Sequence, residues 1–322
     1  MGWLLGSGSV TYKSRHQLFL SLMFTHGGQP SAKDVGDVQT YSNIEAGLLY
    51  GFYETYYQYL GEKLRIKLGL QDINTDFLVS ETALLFAHSS AGLDPMAAIN
   101  IPGPTYPFYS AAATAIIDWS TSTKTRLGIF DGRYAEPRNN FLPFDWKMNA
   151  SEGFLLILEQ ELQFNKGKIL LKPGVFYHTG NFVSRENGQT ERGLWTIYQV
   201  SDFTLFKGET QSLSLYTQSS FSKPAVSNIK YYLGGGLRWS QPFQWKQDHQ
   251  LGFCVAHANL PSVTEITEAP FLLDSETALE LTFNVQAWPW LRVQPYVQWI
   301  MQDKAVPAAE IFTATLRAVA EF

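Results

Sequence analysis

Apolar and polar positions alternate with period two almost from one end of the chain to the other. Thr277, Leu279, Leu281, Phe283, Val285 and Ala287 alternate with Glu276, Ala278, Glu280, Thr282, Asn284 and Gln286. In the next run Val293, Val297, Trp299 and Met301 stand opposite Arg292, Gln294, Tyr296 and Gln298. Leu64, Ile66 and Leu68 oppose Lys63, Arg65 and Lys67, and Leu156, Leu158 and Leu162 oppose Glu159, Glu161 and Gln163. Leu233, Leu237 and Trp239 oppose Gly234, Gly236, Arg238 and Ser240. Successive side chains of a strand point to opposite faces, so each run predicts a strand with one apolar and one charged face. The final residues follow the same rule. Phe312, Ala314, Leu316, Ala318, Ala320 and Phe322 share one face; Thr313, Thr315, Arg317 and Glu321 share the other, with Val319 its only apolar member.

The pattern predicts strands near 15–25, 43–60, 62–70, 80–88, 106–120, 122–131, 152–164, 167–180, 193–206, 209–219, 229–241, 249–257, 276–288, 290–301 and 311–322, with room for one more before residue 12. Tight turns fall at Gly61-Glu62, Ser120-Thr121-Ser122, Asn165-Lys166-Gly167 and Trp288-Pro289-Trp290. Long connections rich in Pro, Gly, Asn or Ser fall at 28–40, 89–105, 132–151, 181–192, 220–228 and 258–275. Strands of constant sidedness, with short turns at one end and long loops at the other, predict a transmembrane antiparallel up-and-down β-barrel. No shift in composition divides the chain, so residues 1–322 read as a single barrel domain.

Composition sharpens this reading. Charged residues make up 16% of the chain, below the usual quarter, while aromatics reach 15%. Few charges and many aromatics suit an apolar exterior with aromatic girdles around a polar lumen, where Phe322 would sit at the lipid boundary. The formal net charge is −5 with no basic run, which argues against nucleic acid. The single Cys254 forms no intrachain disulfide and reads as a small strand residue. No apolar run is long enough for a membrane helix. Met1–Leu5 lacks the basic and apolar regions of a secretory signal. The sequence is therefore expected to begin after its signal or without its natural start.

A water-filled lumen must be polar, so alternation sorts the charges inward. Glu54, Lys63, Arg65, Lys67, Arg126, Glu159, Glu161, Arg238, Glu280, Arg292, Arg317 and Glu321 are the expected pore-lining groups. An ion filter uses rings of one sign, whereas mixed charges suit a neutral polyol. Phe52, Tyr56, Phe176, Tyr216 and Tyr296 are inward aromatic candidates for contact with the apolar face of such a polyol. The Lys63, Arg65, Lys67 ladder, with Arg126 on a nearby strand, is the leading position. Segment 89–105 is the candidate for a loop folded into the lumen. His16, His26, His88, His178, His249 and His257 show no triad or metal spacing, and His178 reads as lumen-facing or rim-exposed. No catalytic residue, metal or cofactor is expected.

Several stretches stand out in order along the chain: Gly36-Asp37-Val38-Gln39-Thr40-Tyr41-Ser42-Asn43-Ile44-Glu45-Ala46, Tyr53-Glu54-Thr55 through Gln58, and Gly69-Leu70-Gln71-Asp72-Ile73-Asn74-Thr75-Asp76-Phe77. The series continues with Phe86-Ala87-His88-Ser89-Ser90, Gly128-Ile129-Phe130-Asp131-Gly132, Phe176-Tyr177-His178-Thr179-Gly180, Gln294-Pro295-Tyr296-Val297-Gln298-Trp299, and Leu316-Arg317 before terminal Phe322. Taken in order, these stretches resemble the carbohydrate-selective porin (OprB-like) family. His88 stands where the family tends to have Asn. Gly2 to Gly28 resembles the family's second-strand region, so its signal and first strand are expected to be missing. The resemblance implies about sixteen strands, passive diffusion of monosaccharides such as glucose across the outer membrane, and no covalent chemistry. It implies neutral sugars and outer-membrane lipid as partners, with the barrel-assembly machinery reading the strand that ends in Phe322. It leaves a homo-oligomer open. A non-selective porin, a barrel enzyme and a soluble β-sandwich or sugar-binding module remain alternatives to the sugar porin.

Overall fold

The computed structural model describes residues 2–11, 15–135, 152–185, 187–261, 273–303 and 309–321. Phe322 and most of the expected connections 132–151 and 258–275 lie outside them. Among the described residues fifteen strands form one sheet. They are β1 (Gly2–Thr11), β2 (His16–His26), β3 (Leu49–Leu60), β4 (Leu64–Gln71), β5 (Ser110–Ser120), β6 (Thr123–Asp131), β7 (Phe154–Phe164) and β8 (Ile169–Val183). The series ends with β9 (Thr190–Lys207), β10 (Ser212–Ser222), β11 (Tyr231–Ser240), β12 (His249–Asn259), β13 (Ser275–Trp288), β14 (Leu291–Asp303) and β15 (Ala309–Ala320). Spatial order equals chain order, and neighbouring strands run antiparallel. Among the described residues β1 and β15 share no ladder.

Register preserves the faces read from alternation. Phe253, Leu281, Val297 and Ala314 pair in one outward row, and Cys254, Glu280, Gln298 and Thr313 pair in the adjacent inward row. A one-residue slip would exchange these rows, which is why a sheet with two chemically distinct faces specifies its register. The outer face exposes Leu20, Leu68, Leu127, Leu158, Leu233 and Leu281. Large aromatics flank this band. Trp119, Phe206, Trp239, Trp288 and Trp290 lie at the short-turn end; Phe24, Tyr50, Trp195, Tyr231 and Trp299 lie towards the long loops. On β9, Trp195 and Phe206 are separated by roughly 36 Å of chain at about 3.3 Å per residue. At the usual tilt of about 40° this is roughly 28 Å of height, close to the apolar band of an outer-membrane barrel.

Two sequence expectations are corrected. The predicted strand at 80–88 is not a strand: it contains a 3-10 turn at Ala83–Leu85 and lies against the concave face of the sheet. Ala83, Leu85, Phe86 and Ala87 are buried while Leu84 stays exposed, and the backbone bonds to wall side chains rather than to a neighbouring strand. Phe52 does not share the inward face. A bulge opposite Ser21 changes the register of β2 and β3 between Leu20↔Thr55 and Leu22↔Phe52. Phe52 is thereby paired with exposed Leu22, while Tyr53 and Glu54 are both buried. A bulge inserts one residue and reverses alternation beyond it. The strand anticipated before residue 12 is β1.

The core lies inside the curve of the sheet. The β4–β5 connection folds into it, carrying α1 (Ser89–Gly92) and α2 (Met96–Ile99). Phe77, Leu78, Met96, Ala97 and Ile101 pack with the inward Phe130, Leu155, Phe176, Tyr198 and Tyr232. A second cluster joins Ala83, Leu85, Phe86 and Ala91 to Tyr216 and Cys254. Gly252 makes room for it, since a Cβ there would stand 2.6 Å from Leu85 Cδ2 and 2.8 Å from Phe86 Cε1. The expectation of an inserted segment at 89–105 thus extends to the whole β4–β5 connection.

Candidate functional site

Backbone that leaves a sheet and enters a barrel interior needs hydrogen-bond partners, because buried unpaired amides are costly. Inward side chains of the wall supply them. The Glu280 carboxylate accepts the amides of Ala87 at 2.9 Å and His88 at 2.7 Å. Two periods of alternation away on β13, Glu276 accepts the amides of Val38 at 2.8 Å and Gln39 at 2.9 Å. Each carboxylate is backed by a carboxamide from β14: Gln298 donates to Glu280 and Gln302 to Glu276, both at 2.9 Å. The same carboxamides donate to Tyr41 O at 2.8 Å and Gly36 O at 2.9 Å. Gln294 donates to Leu85 O at 2.7 Å. Two carboxylate–carboxamide clamps therefore hold two inward segments, one from each of the β2–β3 and β4–β5 connections.

The opposite wall grips the same β4–β5 segment. Glu159 accepts the Leu78 amide at 2.9 Å, Lys172 donates to Val79 O at 2.5 Å, and Asp202 accepts the Ser80 hydroxyl at 2.7 Å and the Thr82 amide at 3.1 Å. Arg238 donates to Glu81 O at 2.6 Å. Residues 78–88 thus touch β7, β8, β9, β11, β13 and β14.

An ionic network adjoins these contacts. Lys67 pairs with Asp76 at 2.7 Å and lies over the Tyr56 ring at 4.9 Å. Arg126 bridges Glu159 at 3.2 Å and Glu161 at 2.5 Å. Glu54 accepts the Thr75 hydroxyl at 3.0 Å. Arg317 donates to Asn43 Oδ1 at 3.2 Å. Towards the short turns, Lys63 and Glu321 are exposed, Arg65 is half-buried, and Arg292 lies 3.6 Å from Asp248. The structure therefore joins Lys67, Arg126, Glu159, Glu161 and Glu280 to the inserted segments or to each other, and leaves Lys63 and Glu321 at a mouth. Tyr56, Phe176, Tyr216 and Tyr296 are buried inward, with Tyr216 against Phe86. Glu276, Lys172, Asp202 and Asp76 were not among the sequence candidates. The first three follow the same period-two pattern and could have been found by it.

Above the clamps, towards the long loops, lies a cavity of ≈ 430 Å³. Its walls come mainly from the two inserted segments, with Tyr134 beyond β6. Amide, hydroxyl and aromatic side chains share the lining with Leu84, Leu93, Ile99 and smaller apolar residues; among the described residues Glu45 is its one acidic group and no Lys, Arg or His lines it. The rings of Phe108 and Tyr134 stack with centroids 4.3 Å apart at 16°.

Burial sets the protonation of the inserted groups. Asp94 accepts the Met96 amide at 3.0 Å just ahead of α2, yet its burial pushes the carboxyl up to about 6. Burial pushes His88 down to about 4, and neither ring nitrogen has a hydrogen-bond partner among the described residues. His178, expected to face lumen or rim, is buried, with Nε2 2.6 Å from Gly132 O and Nδ1 accepting the Gly180 amide at 3.1 Å. Among the described residues no cluster of His, Cys, Asp and Glu could hold a metal ion.

No curated relative matches the chain at a significant level. Among solved structures, OprB of Pseudomonas putida at high pH superposes with a TM-score of 0.82 at 16% identity, covering 96% of this chain and 83% of that one. The outer-membrane channel DcaP of Acinetobacter baumannii gives 0.58 at 8% identity, covering 97% and 82%. The trimer form of OmpT from Vibrio cholerae gives 0.52 at 10% identity, covering 98% and 88%. At these identities the likeness speaks for the fold: an antiparallel, strand-rich architecture of the outer-membrane porin type. The family model of the carbohydrate-selective porins, the OprB family, matches residues 18–318, and the chain therefore belongs to that family, as an outer-membrane transport porin and not an enzyme.

Proposed function

We propose that the chain lets neutral monosaccharides such as glucose diffuse passively through a water-filled lumen. The observation that carries this reading is the pairing of a lumen narrowed by inserted segments with a cavity that carries amides and hydroxyls and, among the described residues, no basic side chain. A neutral polyol offers donors and acceptors to such walls and no charge to be desolvated. Below the cavity the path passes mixed charges, with Arg317 and Glu54 beside the inserted segments and Lys63, Arg65 and Arg292 towards the short-turn mouth. Arg126, Glu159, Glu161, Lys67, Arg238 and Glu280 act on the path chiefly by holding its walls. Their charges offset one another, so no ring of one sign selects an ion.

In lipid the sheet closes, because an open edge cannot face hydrocarbon. Closure in a barrel of about sixteen strands brings the β1 and β15 edges into pairing, directly or through a further strand. The strand ending in Phe322 serves as the recognition signal for the assembly machinery. Planar-bilayer recording with glucose titrated into the bath tests the function. Ionic current should fall in steps that saturate with glucose, and liposomes should swell faster in neutral hexoses than in charged solutes of equal size. Channels indifferent to glucose, with equal swelling for both solute classes, would make this a general porin.

A further inference from the structure

One corner of the short-turn rim carries chemistry that the lumen does not use. There β9 and β10 overhang their neighbours. The last β8–β9 pair is Ile169↔Phe203, and the Thr204 amide donates to Lys168 O at 2.8 Å. Beyond that point β9 continues through Lys207 beside β10 alone, while the β7–β8 turn Asn165–Gly167 stops short of it. Phe164, Leu205 and Phe206 are exposed on this ledge. Phe206 pairs with Leu213, and Leu213 with exposed Trp239, so an apolar row runs outward across β9, β10 and β11. Three exposed lysines border the same ledge: Lys166 and Lys168 at the turn, and Lys207 at the end of β9. Other cations of this rim face carboxylates. Arg15 pairs with Glu62 at 3.0 Å, Lys124 lies 3.6 Å from Asp118, and Arg292 lies 3.6 Å from Asp248. Among the described residues Lys166, Lys168 and Lys207 have no carboxylate within ion-pair distance, and Glu209 is the one acidic residue in their two turns.

We infer that this corner holds the headgroup of one anionic phospholipid of the periplasmic leaflet, such as phosphatidylglycerol, with its chains laid along Phe206, Leu213 and Trp239. Short turns of outer-membrane barrels face the periplasm, and aromatic girdles mark the level of the lipid headgroups. Phe206 belongs to that girdle, and Lys207 is the next residue outward. Lys166 and Lys168 follow Phe164 in the same way. The lysines therefore stand at the depth of the phosphates, with long apolar stems that can lie along the rings while the ammonium reaches the headgroup. The two halves of the corner fix the occupant. An acidic soluble protein would satisfy the lysines but would not meet rings that lie within the apolar band. A zwitterionic lipid would cover the rings but brings an ammonium of its own against three cations that lack a counter-charge. An anionic lipid answers both, and each lysine close to an anionic lipid surface contributes about fivefold in affinity. The inference concerns the outer face and stands apart from what passes through the lumen.

Native mass spectrometry of the folded protein tests the site, with micelles doped with phosphatidylglycerol or with phosphatidylcholine of the same chains. The parent should retain one phosphatidylglycerol about tenfold more readily than phosphatidylcholine. Replacing the three lysines together, Lys166→Gln, Lys168→Gln and Lys207→Gln, should remove that preference. The matching triple replacement by Arg should keep it, which separates loss of charge from loss of fold. Phe206→Ser should weaken retention severalfold, because the acyl chains lose part of their shelf. Higher salt should weaken the parent's preference and leave the triple Gln variant unchanged. Equal retention of both lipids by the parent would overturn the site, and so would equal retention of phosphatidylglycerol by the parent and the triple Gln variant. A loss in the Gln variant with none in Phe206→Ser would assign the lysines to soluble anions and overturn the lipid as occupant.

Discussion

Removing the Glu280 carboxylate should loosen the segment that narrows the lumen. Three donors converge on it: the Ala87 amide, the His88 amide and the Gln298 carboxamide. A hydrogen bond to a charged group contributes about 1.5–3 kcal/mol, so three give ~4.5–9 kcal/mol as an upper bound. The carboxylate's own burial, with no cation within ion-pair distance among the described residues, offsets much of this. Gln298 keeps a second acceptor in Tyr41 O at 2.8 Å, so in Glu280→Ala only the two backbone amides are orphaned. At about 1–3 kcal/mol each, their loss should cost ~3 kcal/mol of docking free energy, or about a hundredfold more undocked segment. Glu280→Gln keeps one acceptor oxygen and turns its NH₂ towards the other amide, so it should cost roughly half as much. Single-channel recording should show excess current noise and higher mean conductance in the order Ala, Gln, parent. Limited proteolysis within 78–88 should rise in the same order. Identical conductance, noise and cleavage in all three would refute the clamp as the determinant of docking.

Other perturbations probe separate parts of the same argument. Arg126→Met leaves Glu159 and Glu161 without their shared cation and should cost ~2–4 kcal/mol, lowering the melting temperature in detergent and shifting reversal potentials towards cation selectivity; an unchanged melting curve would count against the network. Leu281→Arg places a charge on the outer face in mid-strand and should cost about 2–4 kcal/mol of folding into vesicles, whereas a soluble fold would tolerate it at an exposed site. The raised Asp94 carboxyl gives a pH test. Between about 4 and 6 the folded state keeps a proton that the unfolded chain has released, so stability falls as pH rises and levels off above about 6. The loss amounts to ~3 kcal/mol at most, and Asp94→Asn, which can still accept the Met96 amide, should abolish the slope in denaturant titrations; an equal slope in the variant would remove Asp94 as its source.

How much of this was legible in the sequence follows from the range of each interaction. Inside and outside were readable because the period of a strand is local: Glu280 and Leu281 declare opposite faces with no knowledge of their partners. The outward band and nearly every strand position follow from that alone. Phe52 fails because the bulge opposite Ser21 is a two-strand event, invisible to alternation along β3 by itself. Segment 80–88 fails for a deeper reason. Its run through Leu84, Phe86 and His88 mimics a strand, yet it lies between β4 and β5 without joining their ladder. What makes that possible is an acceptor for its amides, and Glu280 stands 192 residues from His88. Alternation therefore gives such a charge a face but not a task. A charge on a lumen wall can face water or hold a polypeptide that has entered the lumen, and only the pairing of distant segments distinguishes the two. In this chain Glu276, Glu280, Glu159 and Asp202 hold backbone, and the path through the lumen is shaped by what they hold as much as by the wall itself.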